Sequence, residues 1–161
     1  MREESSAFLP GKSTVTQLTE VYHHFCSASD RGKELRVVFL DITKAFDRVW
    51  HVGLLQKLHK SGINNSLLAW FKDYLADRTQ RVVLNGKTSE WSHIKAGVPQ
   101  GSVLGPLLFL LYINDMSTVI QHCQIRLFAD DTCLYIEVDN RIDAAAKINY
   151  DLQCLYDWSQ E

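Results

Sequence analysis

The sequence predicts an α+β fold with antiparallel hairpins, and three observations carry that expectation. Leu35 to Leu40 (LRVVFL) is a continuous apolar run, rich in strand formers, that delivers an acid, Asp41, at its C-terminal end. Asn85-Gly86 and Ala129-Asp130-Asp131 each sit between two strand-like runs, the pattern of a hairpin. Around these lie segments whose apolar residues recur with the helical period.

Taken in order, Ser13 or Thr14 can cap a first helix whose apolar stripe is Leu18, Val21, Tyr22 and Phe25, and Asp30-Arg31-Gly32 closes it with turn chemistry. The strand at 35–40 lacks polar alternation and so reads as buried on both faces. His51 to Lys60 and Asn65 to Ala76 are two packing helices parted by Ser61-Gly62. Gln80 to Leu84 and Thr88 to Ile94 form the first hairpin. Gly97-Val98-Pro99-Gln100-Gly101-Ser102 is a glycine-rich loop that opens a nearly all-apolar helix, Leu104 to Ile113. Ser102 is its candidate cap, and Pro106 falls in the first turn, where proline is tolerated. Gln124 to Phe128 and Thr132 to Val138 make the second hairpin, with two adjacent acids at its tip. A last helix carries Ala145, Ile148, Leu152 and Leu155. No repeat, low-complexity tract or linker interrupts the chain, so residues 1–161 are expected to form a single domain or part of one.

Composition narrows the function classes. With 46% hydrophobic residues, 22% charged and three prolines, the chain is a folded globular one and not a disordered tail. Its net charge of −2 gives no global excess of the kind that draws a domain to phosphate backbones. Cys26, Cys123, Cys133 and Cys154 form no CxxC pair and no zinc-type cluster with the histidines, which points to reduced thiols inside a cell. The longest mainly apolar run, Val103 to Ile113, is too short to cross a bilayer, and the N-terminus has no apolar signal core. No membrane partner is expected, and protein partners are left open.

The chemistry concentrates in three acids. Should the strands that carry Asp41 and Asp130-Asp131 be neighbours, three carboxylates converge on one sheet edge. Like charges held that close repel, whereas a divalent cation relieves the repulsion and takes carboxylate oxygen readily. Each feature has an ordinary competitor: an Asp-Asp pair can be a solvated turn, and a strand-end Asp can cap a helix.

The flanking residues decide between them. Phe39 to His51 (FLDITKAFDRVWH) resembles motif A of reverse transcriptases from non-LTR (LINE-type) retrotransposons, Gly97 to Met116 (GVPQGSVLGPLLFLLYINDM) resembles their motif B, and Phe128-Ala129-Asp130-Asp131 resembles motif C, in the family's order. Phe8 to Thr14 with Gln17 is similar to the segment before the palm, and Asp151 to Ser159 to the start of motif D. An intron-encoded maturase-type enzyme shares the acids but not the wording around Asp41.

The resemblance implies a polymerase palm, an antiparallel sheet with helices packed on one face, with an incomplete fingers region and no thumb, those parts being expected before Met1 and after Glu161. It makes Asp41 and Asp130 the principal metal ligands, with Asp131 in support, for two Mg²⁺ ions that Mn²⁺ can replace. Phe46 becomes the steric gate against a 2′-hydroxyl, its competitor being a core aromatic beside Trp50. Gln100 and Gly101 would approach the template and the incoming nucleotide. The implied partners are an RNA template, a DNA primer and a dNTP, and the implied place of action is the nucleus. A chain of this extent is expected to be impaired or inactive in isolation, and the alternative is a degenerate, non-catalytic retrotransposon remnant that acts at most as a binding or structural domain.

Other features carry less. Gly11-Lys12-Ser13-Thr14 mimics the end of a P-loop but has Ser6 where the first glycine belongs. His51 and His59 are expected to pack or face solvent, Asp47 to support its turn, and Asp115 to end a helix facing water. Lys57, Lys60, Lys72, Arg78, Arg81 and Lys87 read as a solvated surface.

Overall fold

The computed structural model describes residues 14–128 and 130–160. Ser13 as a cap and the segment from Phe8 lie outside them. In chain order the elements are α1 (Thr14–Asp30), β1 (Glu34–Asp41), a 3-10 turn Ala45–Asp47, α2 (His51–Lys60), α3 (Asn65–Leu75), four two-residue strands β2 (Thr79–Gln80), β3 (Val83–Leu84), β4 (Lys87–Thr88) and β5 (Ser92–His93), α4 (Leu104–Ile113), a 3-10 turn Met116–Val119, β6 (Gln124–Phe128), β7 (Asp131–Val138) and α5 (Arg141–Gln160). They gather into two compact units, one made of the described residues up to Thr43 with those from Ile113 onward, the other of Lys44–Tyr112.

The first unit is built on an antiparallel sheet of order β1-β7-β6. Its register forms rows across the strands: Val38, Leu134 and Ile125 in one, Phe39, Cys133 and Arg126 in the next, and Val37, Tyr135 and Gln124 beyond. Because successive side chains alternate between faces, the first row belongs to one face and the other two to the opposite one. Ile125, Leu127 and Leu134 pack with Met116 and with Leu155 of α5, and Val38, Leu40 and Leu152 complete that core. On the opposite face α1 covers only one end, where the Phe25 ring meets Tyr135 edge-on at 5.4 Å. The row nearer Asp41 lacks that cover, and Phe39 is 76% exposed. The expectation that 35–40 is buried on both faces is therefore corrected at the Asp41 end: among the described residues β1 is an edge strand, and on the α1 face Leu35 and Val37 are half-buried while Phe39 is exposed. The stripe on α1 is likewise half realised, since Val21 and Phe25 are partly buried while Leu18 and Tyr22 stay exposed.

α5 begins where the Asn140 Oδ1 accepts the backbone N–H groups of Ile142 and Asp143 at 2.9 and 3.2 Å, a regular N-cap. Its inner face buries Ala144, Ile148 and Leu155 and also an acid, Asp151, which is fully buried. Three backbone N–H groups donate to that carboxylate, from Gln121 (3.0 Å), His122 (3.0 Å) and Cys123 (2.7 Å). A buried charge is tolerable only when it is hydrogen-bonded in this way. Asp115, expected to face water, is half-buried and accepts the Trp158 indole N–H at 3.1 Å.

In the second unit α2 has the expected bounds, α3 ends one residue early at Leu75, and the two pack together. The hairpin is present but interrupted. β2 pairs with β5 and β3 with β4, and Asn85 (φ 49°) and Gly86 (φ 77°) form the two-residue turn with both φ values positive. Between the two ladders the Ser89 hydroxyl accepts the Val82 N–H at 2.9 Å, taking the place of a ladder carbonyl. α4 starts as expected, the Ser102 Oγ accepting the Gly105 N–H at 2.9 Å. Its C-terminal end is held by Lys57, whose ammonium donates to the Tyr112 carbonyl at 2.8 Å, so Lys57 is a helix cap and not a solvated surface charge. Among the described residues no helix is long and apolar enough to cross a membrane.

Candidate metal and nucleotide site

The acidic edge lies wholly within the first unit. β1 and β7 are hydrogen-bonded neighbours, and their register ends with Asp41 directly across from Asp131. Cross-strand partners share a face, so these two carboxylates stand on the same side of the sheet. Asp130 occupies the turn between β6 and β7, and Phe128 pairs with Asp131, so Asp131 belongs to the strand and not to the turn as the pattern suggested. Asp41 and Asp131 are exposed and Asp130 is half-buried. Among the described residues none of the three is ion-paired with a lysine or arginine. Nor do any three His, Cys, Asp or Glu side chains among the described residues gather closely enough to hold a metal ion. What the fold supplies is Asp41 and Asp131 facing one another across β1 and β7, with Asp130 in the adjoining turn.

Phe46, Gln100 and Gly101 belong to the second unit. The 3-10 turn carrying Phe46 is joined to the glycine-rich loop by two backbone bonds, Gly97 N–H to the Val49 carbonyl and Val98 N–H to the Phe46 carbonyl, both 2.8 Å. The junction explains Gly97: its φ is 89°, and a Cβ there would meet the Asp47 carbonyl oxygen at 2.7 Å and the Asp47 Cα at 2.8 Å. His51 donates from Nε2 to the Gly97 carbonyl (2.8 Å), which Arg78 also reaches (3.2 Å). Both side chains, read from sequence as packing or solvated, thus fasten the loop. Phe46 is half-buried and stacks on Phe109 of α4, ring centroids 4.8 Å apart; the aromatic partner is Phe109 and not Trp50. Gly101 has φ 77° with nothing within 4 Å of where a Cβ would stand, so its backbone can be approached closely.

Gln100 is exposed, and its Nε2 donates to Asp47 Oδ1 at 2.9 Å. The two border a cleft of about 700 Å³ lined by Lys44, Arg78, His93 and Lys95 among others. Asp47 therefore does more than support its own turn, and the basic lining is a local feature that the near-neutral net charge concealed. The signal available in the sequence was weak, since Arg78, His93 and Lys95 are spread over 18 residues of hairpin and loop.

A family model described as reverse transcriptase (RNA-dependent DNA polymerase) matches residues 1–159. A probable RNA-directed DNA polymerase from transposon X-element of Drosophila melanogaster is 38% identical over 147 residues, 89% of this chain and 16% of the relative. The RNA-directed DNA polymerase from mobile element jockey of the same species is 34% identical over 154 residues, 91% and 17% respectively. A Pol polyprotein from the type-1 retrotransposable element R2 of Popillia japonica is 29% identical over 138 residues. The chain thus spans about a sixth of the first two relatives. Among solved structures, apo telomerase from Candida tropicalis superimposes with a TM-score of 0.62 at 14% identity, over 93% of this chain and 32% of that one, a likeness of fold alone. On the match over nearly its whole length and its identity to transposon polymerases, the chain belongs to the reverse transcriptase (RNA-dependent DNA polymerase) family.

Proposed function

We infer that the chain is the metal-binding palm portion of an RNA-directed DNA polymerase of a non-LTR retrotransposon, and the pairing of Asp41 with Asp131, with Asp130 in the adjoining turn, is the observation that carries the reading. Two like charges directly opposite one another are unfavourable in a bare sheet. Asp41 and Asp130 are the principal ligands and Asp131 the supporting acid of a site for two Mg²⁺ ions, with Mn²⁺ as a substitute. Such ions supply activation of the attacking hydroxyl and charge neutralisation at the entering and leaving oxygens. In the reaction a primer 3′-oxygen bonds to the α-phosphorus of a dNTP, the bridging P–O bond to the β-phosphate breaks, and pyrophosphate leaves. Phe46 is the steric gate that favours deoxyribose, its ring held by the stack on Phe109. Gln100 and the open backbone at Gly101 meet the nucleotide and the template strand.

Calorimetric titration of Mn²⁺ and Mg²⁺ into the chain and into Asp41→Asn and Asp130→Asn tests the site. Binding by the wild type that falls at least tenfold in both variants is expected, as loss of a charged ligand removes more than one charge-assisted contact's worth of affinity; equal binding by all three overturns it. Primer extension on poly(rA) primed with oligo(dT) then tests the reaction, and metal binding without extension would leave a palm-like metal site that does not catalyse.

A further inference from the structure

Asp47 is the one carboxylate among the residues that line the basic cleft, and its Oδ1 accepts the Gln100 carboxamide. Both side chains are exposed, so the bond satisfies no buried group, and at an exposed site it contributes little to stability. Its consequence is geometric. Asp47 is planted on a backbone that cannot drift from the loop: Gly97 packs against the Asp47 carbonyl and Cα, and two backbone hydrogen bonds join the flanking residues. Gln100, in turn, immediately precedes Gly101, whose positive φ and open surroundings leave the loop accessible. With one N–H committed to Asp47, the carboxamide keeps one donor and its acceptor oxygen for a ligand in a fixed orientation. A free glutamine would lose three rotors' worth of freedom on binding, whereas an anchored one has already lost it.

We propose that Asp47 is a positioning residue that fixes the carboxamide of Gln100 at the rim of the cleft and thereby sets how tightly the site uses its deoxynucleotide. This assignment deepens the polymerase reading and rests on it for its ligand, while the placement of Gln100 stands on the geometry alone.

The side-chain amide protons of Gln100, assigned in a proton–nitrogen correlation spectrum by their disappearance in Gln100→Ala, report the placement directly. Asp47→Ala is expected to move them to the position of a solvated amide, and Asp47→Asn, which keeps an acceptor, to restore most of the wild-type position. In primer extension on poly(rA), Asp47→Ala is expected to raise the KM for dTTP about two- to threefold, the equivalent of one exposed hydrogen bond, with kcat unchanged. Combining it with Gln100→Ala should add nothing to Gln100→Ala alone. Unmoved amide resonances in both Asp47 variants, or additive losses in the double variant, overturn the proposal. Should the wild-type chain extend no primer, as expected of a chain of this extent in isolation, the resonances decide the placement of Gln100 by themselves.

Discussion

At the scale of single residues, the structure turns on side chains whose partners lie far away in the sequence. Asp41 and Asp131 are 90 positions apart and meet only because β1 and β7 pair. Facing like charges cost a sheet a few tenths of a kcal/mol or more. Asp41→Asn removes that repulsion, and the metal-free variant is expected to melt at or slightly above the wild type, by about 0.5 kcal/mol. With the proposed metal site, Mg²⁺ is expected to raise the Tm of the wild type and to leave that of Asp41→Asn unchanged. A thermal scan with and without the ion checks both, and a metal-free variant less stable than wild type would contradict the charge argument. His51, Lys57, Asp47 and Asp115 carry the complementary lesson. Each was read by its local context, and each is fixed by a carbonyl, an amide or an indole that no local pattern reveals.

Among elements, boundaries were legible wherever local chemistry sets them. α2 runs from His51 to Lys60 as its period and the following Ser61-Gly62 imply, and the turn at Asn85-Gly86 has the positive φ values that this dipeptide favours. The interruption of that hairpin at Val82 and Ser89 was not legible, because any short run of strand formers reads as continuous. The glycine-rich loop separates two uses of one residue type. Gly97→Ala combines a left-handed φ with a collision against backbone and is expected to cost about 2–4 kcal/mol, whereas Gly101→Ala meets open space and pays only about 1–2 kcal/mol for its φ. Urea unfolding of the two variants measures the difference, and equal losses would refute the close approach at Gly97.

For the molecule as a whole, global stability should depend on an acid that lies apart from the Asp41–Asp131 edge, Asp151. Burial pushes the Asp151 carboxyl up, but the N–H groups of Gln121, Cys123 and His122 outweigh it and hold the group below the ordinary carboxylate range. A carboxyl whose folded value lies below its unfolded one stabilises fully above the unfolded value, about 3.9, and that contribution is lost as pH falls through the folded value. Asp151→Asn puts an amide N–H where an acceptor is needed, and a loss of about 2 kcal/mol at neutral pH is expected. The variant should also lose stability less steeply than wild type between about pH 5 and pH 3. Chemical denaturation across that range checks the slope; identical slopes would remove Asp151 from the acid response. The neighbouring Cys123 thiol, pushed up to about 12 by burial and by its bond to Asp151, belongs to the same buried cluster.

The sequence alone determined the α+β class, the order of helices and hairpins, and the three acids with their flanking motifs, because period, turn chemistry and motif wording are local properties of the chain. Tertiary structure decided that Asp131 is the residue facing Asp41, that β1 is an edge strand with Phe39 uncovered, and that Asp47, His51 and Arg78 fasten the glycine-rich loop. Register, cover and long-range hydrogen bonds depend on which segments meet in space, and a linear pattern contains that information only where a family resemblance supplies it.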